Sequence, residues 1–180
     1  MTLTNIDIRK AAKSYVDRYP DDAPDLKPLV DLMAEGIDIT TRAEMRGHVT
    51  ASAVVVNDAG FIRLINHLAA GQWIQPGGHP EAGDHSLSDT AKREAHEQTG
   101  IHPALLKLVF TRPIHVDSHV IPARPEKREQ AHAHWDFRYL FWTSARVGEI
   151  QPEEVGGAGF FSINSLPGDV LRERVRLAMN

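Results

Sequence analysis

Glu94, Glu97 and Gln98 stand at i, i+3 and i+4 within a segment of helical composition running from Ser86 to Thr99. About one helical turn brings the oxygens of such a trio onto a single face. Hard divalent ions such as Mg²⁺ take oxygen ligands, keep several waters, and are held by one or two carboxylates together with substrate phosphates. The spacing therefore suits phosphate chemistry. Arg93 lies four residues before Glu97 and four after Asp89, placed to pin the carboxylates in orientation. A charged helix face is more often merely solvated. What sets this one apart is the pair Gly77-Gly78 ahead of it, which lets backbone approach a ligand closely, with Glu81 and Asp84 on the loop that leads into the helix.

A second group of polar residues has period two. His115, Asp117 and His119 alternate in HVDSHV, and His132, His134, Asp136 and Arg138 alternate in HAHWDFRYLFWT. Each set occupies one face of a strand. Antiparallel pairing around the charged loop PARPEKREQA, in a symmetric register, sets His119 opposite His132, Asp117 opposite His134 and His115 opposite Asp136. Trp135, Phe137, Tyr139 and Phe141 then face the core. The expected polar cluster, His115, Asp117, His119, His132, His134 and Asp136, suits a second, softer transition metal or a substrate phosphate. The competing interpretation is a solvent-wet strand face. His96 lies on the far side of its helix from Glu94 and is expected to face away from the carboxylate site.

The elements that must position these residues follow from periodicity. Ile8, Ala12, Tyr15 and Val16, then Leu26, Leu29, Val30 and Met33, recur three or four apart and predict two amphipathic helices, the second closed by Gly36. HVTASAVVV, Asp58-Ala59-Gly60 and FIRLINH read as a β-hairpin. A strand then runs into Pro76-Gly77-Gly78 and the loop before the helix. Ser86 with Asp89 resembles a capping box, and Gly100 stops the helix. LLKLVF, HVDSHVIPA and HAHWDFRYLFWT read as further strands. Val170, Leu171, Val175 and Leu177 or Ala178 predict a last helix. The expectation is an α/β chain with a mixed sheet: an amino-terminal helical extension over 1–46 and one domain over 47–180. The two apolar helix stripes need burial against the sheet or a second subunit, since isolated helices of this length are marginal in water.

Read together, residues 77–101, GGHPEAGDHSLSDTAKREAHEQTGI, resemble the Nudix box G-x5-E-x7-R-E-U-x-E-E-x-G-U, where U is a bulky aliphatic residue. Gly78 takes the first glycine and Asp84 the glutamate beyond it. Arg93, Glu94, Glu97, Gly100 and Ile101 fall on the pattern. Three departures stand out: eight residues separate Asp84 from Arg93, Ala95 replaces the aliphatic, and Gln98 stands in place of a glutamate. The resemblance extends over about His48 to Leu166. It implies an α/β/α sandwich and hydrolysis of a nucleoside diphosphate linked to another group, with Mg²⁺ or Mn²⁺ as cofactor. By the same resemblance Glu94 and Glu97 would hold the metal with a backbone carbonyl of Gly77-Gly78, and Gln98 would be an auxiliary oxygen. Such ions neutralise diphosphate charge, lower the pKa of a bound water and orient its in-line attack on phosphorus. The proton acceptor is left among Glu94, Glu97 and a residue of a later loop such as Glu153 or Glu154, a pair that reads more readily as a solvated acidic turn after Pro152. Both helix carboxylates are expected to face solvent, and Gln98→Glu to tighten metal binding. The alternative is a Nudix-fold binding module, weakened catalytically at Gln98, that recognises a nucleotide or a partner.

Composition bounds the rest. The chain has 180 residues, 42% hydrophobic and 24% charged, and no apolar run near the ~20 residues of a bilayer span. A membrane protein is excluded on that reading. The segment MTLTNIDIRKAAKSYV does not read as a secretory signal, so a cytoplasmic location is expected. The absence of cysteine excludes disulfides, thiol nucleophiles and thiolate zinc sites. Lys and Arg total 20 against 24 acidic residues, a net charge of −4 that provides no field for duplex nucleic acid. The expected partner is a small nucleotide-derived substrate, with a homodimer left open.

Overall fold

The computed structural model describes residues 2–125, 129–145 and 155–179. Helices α1 (Asn5–Val16) and α2 (Ala23–Ala34) form where the apolar spacing requires them, burying Ile8, Ala12 and Tyr15, then Leu26, Leu29 and Met33. The Asp7 carboxylate accepts the Thr4 amide and hydroxyl at the start of α1, and Gly36 adopts a φ of 80° just past α2. Strands β1 (Gly47–Asn57) and β2 (Ile62–His67) pair antiparallel as the expected hairpin. Short strands β3 (Gln72–Ile74) and β4 (Gly77–Gly78) follow. Helix α3 (Leu87–Thr99) starts at Ser86, whose Oγ accepts the Asp89 N–H at 3.1 Å, and ends at Gly100 with a φ of 69°. Next come β5 (Lys107–Leu108), β6 (His115–Ile121), β7 (His132–Thr143), β8 (Val155–Phe161) and α4 (Asp169–Met179).

The sheet is mixed. β1 and β7 run parallel in its centre over the whole of β1, whereas β2, β3, β4, β5, β6 and β8 attach by antiparallel pairs. One face carries Val49, Ala51, Ala53 and Val55 of β1 with Trp135, Phe137, Tyr139 and Phe141 of β7. These share one core with Leu87, Ala91 and Ala95 of α3 and the buried residues of α1 and α2. The amino-terminal helices thus pack on the sheet within the same core as α3. The other face is apolar at one end, where Val54, Val56 and Leu140 meet Leu171 and Val175 of α4. In α4 the alternative between Leu177 and Ala178 resolves to Ala178, which packs on that second core while Leu177 is exposed. The result is an α/β/α sandwich, with α1, α2 and α3 on one side and α4 on the other.

Two sequence expectations change. The β6–β7 pair is antiparallel, but its register sets His119 opposite His134, Asp117 opposite Asp136 and His115 opposite Arg138. This shift of two preserves the faces, because side-chain direction has period two. It also brings Arg138 against its partners: Nη1 lies 3.0 Å from His115 Nδ1 and Nη2 3.2 Å from Asp117 Oδ2. The second change is β8, absent from the sequence reading because VGGAGFF is poor in strand-forming residues; it pairs with β2.

Candidate active site

Four carboxylates, from α3 and the loop before it, surround the guanidinium of Arg93 in the middle of that helix. Arg93 Nη1 lies 3.0 Å from Glu94 Oε1 and 2.9 Å from Glu97 Oε2, and Nη2 lies 3.2 Å from Asp84 Oδ2. Glu81 stands farther off, at 3.9 Å. Arg93 Nη2 also donates to the His79 carbonyl at 2.8 Å. Burial opposes the charge on Arg93, but Asp84, Glu94 and Glu97 outweigh it and hold its pKa above the ordinary arginine value. Asp84 is driven upward by burial, yet its bonds to Arg93, the Glu81 amide and Thr90 leave it below the usual carboxylate range. Asp84 thus reaches Arg93 despite its shorter side chain and the additional residue before the helix.

The glycine pair lies over these carboxylates. Gly78 pairs with Ala51 and Gly77 with Ser52 of β1. A Cβ on Gly77 would lie 2.8 Å from Ser52 Cα, against the backbone of β1, and one on Gly78 would lie 2.5 Å from Glu94 Cδ and displace that carboxylate. Glu94 is buried rather than solvent-facing, at 7% exposure, because α3 turns it inward beneath Gly78. The Glu97 side chain keeps 32% exposure and is the more open of the two helix carboxylates.

Gln98 occupies a different place from the open oxygen that its spacing implied. It is buried: its Oε1 accepts the Gly77 N–H at 3.0 Å, and its Nε2 donates to the Gly77 carbonyl at 3.2 Å and to Glu94 Oε2 at 2.9 Å. An ionised glutamate at this position could accept but not donate. Gln98 therefore clamps the glycine loop to α3 and orients Glu94. His96 is exposed, with Nδ1 3.0 Å from the Ile101 carbonyl, away from the carboxylates.

The six residues of the expected polar cluster divide into two neighbourhoods. His115, Asp117 and Asp136 gather on Arg138, whose Nε lies 2.9 Å from Asp136 Oδ2. Asp136 also accepts Thr50 Oγ1 at 3.2 Å and Ser52 Oγ at 2.7 Å. His115, Asp117 and Arg138 line a cleft of about 710 Å³ with Asp22 and Asp25 of the amino-terminal segment. Burial, then the Arg138 charge, holds the His115 pKa down to about 4. His132 and His134 instead join His48 and His79, two residues that the alternation in β6 and β7 did not reveal. His119 stands between the groups, 2.9 Å from Asp117 Oδ2 and with its ring 5.7 Å from that of His134. Burial, reinforced by the neighbouring imidazoles, lowers the pKa of His79 to about 4 and that of His134 to about 2. Glu153 and Glu154 lie outside the described residues.

The donor set on α3 and the loop before it fits a hard divalent cation. Glu94, Glu97, Asp84 and Glu81 bring four negative charges to the single positive charge of Arg93, beside backbone that approaches without side chains. The fold and site together define an α/β/α sandwich that carries an acidic helix after a glycine loop. The chain belongs to the NUDIX family, whose NUDIX domain matches residues 46–178. No curated protein matches the sequence. Among solved structures, a NUDIX-family hydrolase from Clostridium perfringens is similar at a TM-score of 0.55 and 20% identity, covering 72% of this chain and 97% of the other. The dihydroneopterin triphosphate pyrophosphohydrolase of E. coli gives 0.54 and 13%, covering 72% and 92%. The NUDIX domain of Shewanella oneidensis NrtR, complexed with ADP ribose, gives 0.50 and 19%, covering 73% and 88%. At these identities the likeness is one of fold. Among the described residues no helix is long and apolar enough to cross a membrane.

Proposed function

We propose that this chain is a Mg²⁺- or Mn²⁺-dependent hydrolase of a diphosphate linkage in a nucleoside diphosphate derivative. The observation that carries the reading is the Arg93 guanidinium held between Asp84, Glu94 and Glu97, with the Glu94 carboxylate directly beneath Gly78. Glu94 and Glu97 would hold the ion, and a divalent cation at such a site supplies charge neutralisation for the diphosphate and acidifies water for attack on phosphorus. Arg93 fixes the direction of both carboxylates. Gln98 holds Glu94 and the Gly77 backbone in one unit, so the loop carbonyls and the helix oxygens keep a constant separation. Glu97, the more exposed carboxylate, suits contact with water and the incoming proton. Two similar folds, a dihydroneopterin triphosphate pyrophosphohydrolase and an NrtR domain complexed with ADP ribose, take phosphoanhydride compounds, which agrees with the same bond class.

One observation favours a second reading, a binding module of low turnover: the Gln98 amide is engaged with Gly77 and Glu94 and brings no charge to a cation. A panel of nucleoside diphosphate derivatives, incubated with Mg²⁺ and with Mn²⁺ and assayed for nucleotide or phosphate release, separates the two. Hydrolysis that depends on the ion and disappears in Glu97→Gln is expected. Full activity in Glu97→Gln would overturn the metal assignment, and tight nucleotide binding without release would favour the module.

A further inference from the structure

Away from the α3 carboxylates, four imidazoles meet where the start of β1, the residue after β4 and the start of β7 come together. His48 Nε2 lies 3.0 Å from His79 Nε2, and His132 Nε2 lies 3.1 Å from His134 Nε2. One ring nitrogen from each of His48, His79 and His134 falls within 4.8 Å of the other two. The pairing of β1 with β7 sets His48 directly beside His134, with ring centroids 4.6 Å apart.

Backbone carbonyls fix two of these rings. His48 Nδ1 lies 3.0 Å from the Glu44 carbonyl and His132 Nδ1 2.8 Å from the Gln130 carbonyl. A carbonyl can only accept, so Nδ1 carries the proton, and in the neutral ring Nε2 keeps its lone pair directed into the cluster. This outer hydrogen bond is the one that metal-bound histidines make. Two Nε2 atoms 3.0 Å apart need either a proton between them or a shared cation. Zinc–nitrogen bonds of 2.0–2.1 Å in a tetrahedron put ligand nitrogens about 3.3–3.4 Å apart, so the His48–His79 pair needs to open by only a few tenths of an ångström.

We propose that His48, His79 and His134 form a site for a borderline divalent transition ion of the zinc class, with His132 beside the remaining coordination position. Imidazole donors suit such ions, whereas Mg²⁺ is served by the oxygens of α3. His79 links the two sites, because its ring belongs to the imidazole cluster while its carbonyl accepts from Arg93 at 2.8 Å. An ion that fixes this ring therefore also holds the loop segment that follows Gly78.

The test uses the full chain, stripped of metal and titrated with Co²⁺, whose tetrahedral complexes absorb strongly in the visible. One equivalent should bind with that absorption, be displaced by Zn²⁺ and resist millimolar Mg²⁺. His48→Gln and His79→Gln should each weaken binding about 10-fold or more, and His102→Gln, whose ring lies 6.3 Å from that of His96 and outside the cluster, should leave it unchanged. Glu97→Gln should keep the cobalt spectrum even though it removes the proposed hydrolysis, so failure of one assignment is distinguishable from failure of the other. If His48→Gln does not fold by circular dichroism, the more exposed His79→Gln carries the measurement. No tetrahedral cobalt absorption, or cobalt binding that is lost in Glu97→Gln and retained in His79→Gln, would overturn the proposal.

Discussion

Adding a single methyl group at Gly78 measures how closely the glycine loop and α3 are fitted. In Gly78→Ala the new Cβ would lie 2.5 Å from Glu94 Cδ and 2.8 Å from Glu94 Oε2. Ordinary carbon–carbon contact is about 3.5–4.0 Å, so loop and carboxylate must separate by about 1 Å. Glu94 has little room to yield, being held by Arg93 at 3.0 Å and Gln98 at 2.9 Å. Overpacking of this kind costs about 1–3 kcal/mol, and a chain of this size loses about 2–4 °C of Tm per kcal/mol. The effect on turnover should be larger, since a displacement of about 1 Å in a positioned group can cost about 10²-fold in rate. Hydrolysis on the best nucleoside diphosphate derivative, measured across Mg²⁺ concentrations beside thermal unfolding, reads both effects. Gly157→Ala is the control, because a Cβ there meets Trp73 at an ordinary 3.7 Å. A Gly78→Ala protein with unchanged Tm and unchanged turnover would refute the placement of Glu94 beneath the loop.

Gln98→Glu removes the donations to the Gly77 carbonyl and to Glu94 and sets two carboxylates face to face, so the metal-free protein should lose about 1–3 kcal/mol of stability and regain it as Mg²⁺ is raised; thermal unfolding against Mg²⁺ concentration checks this, and an unshifted metal-free Tm would count against the clamp. His115 must stay neutral beside Arg138: with its pKa depressed to about 4 from an unfolded value near 6.5, its contribution is complete above about pH 6.5 and is lost as pH falls toward 4. The Tm of the native chain should therefore drop over that window more steeply than that of His115→Gln, and parallel curves would contradict it. Ile8→Ala, at a fully buried position of α1, should cost about 2–5 kcal/mol in urea unfolding of the whole chain, whereas a cost near zero would mean that α1 contributes little to the common core.

Local features were legible in the sequence because their causes are local. The Ser86 cap, the Gly100 stop, the β1–β2 hairpin and the apolar stripes of α1 and α2 each rest on residues within one or two turns of each other. Arg93, Glu94 and Glu97 lie within one helical turn, and the structure brings them together with Asp84. What spacing could not convey was direction relative to the sheet. Glu94 and Gln98 share a face that turns inward under the glycine pair, so both are buried and Gln98 is used as an amide clamp. Long-range pairing was equally hidden: Ser52 meets Asp136 across 84 residues of chain, and His48 meets His134 through a parallel pair that no turn signal announces. The one available hint at His48 was its position in HVTASAVVV, where alternation places it on the same face as Thr50 and Ser52.

That face explains how one sheet supports both polar sites. Along β1 the sequence of side chains is His48, Thr50, Ser52, Val54 and Val56, and the parallel register sets the first four beside His134, Asp136, Arg138 and Leu140 of β7. Both strands therefore change from polar to apolar at the same level. The apolar end is sealed by Leu171 and Val175 of α4. At the polar end each buried charge finds a partner across the strands, as Asp136 does with Ser52, Thr50 and Arg138. The opposite face of the same strands is apolar throughout, from Val49 to Val55 and from Trp135 to Phe141, and provides the rigid support on which α3 rests. Ser52 stands where the two meet: its Oγ is bonded to Asp136 and its backbone is paired with Gly77. A shift of β1 against β7 would disturb the Asp136–Arg138 network, the imidazole cluster and the seat of the glycine loop together, so the central parallel pair sets the geometry of all three.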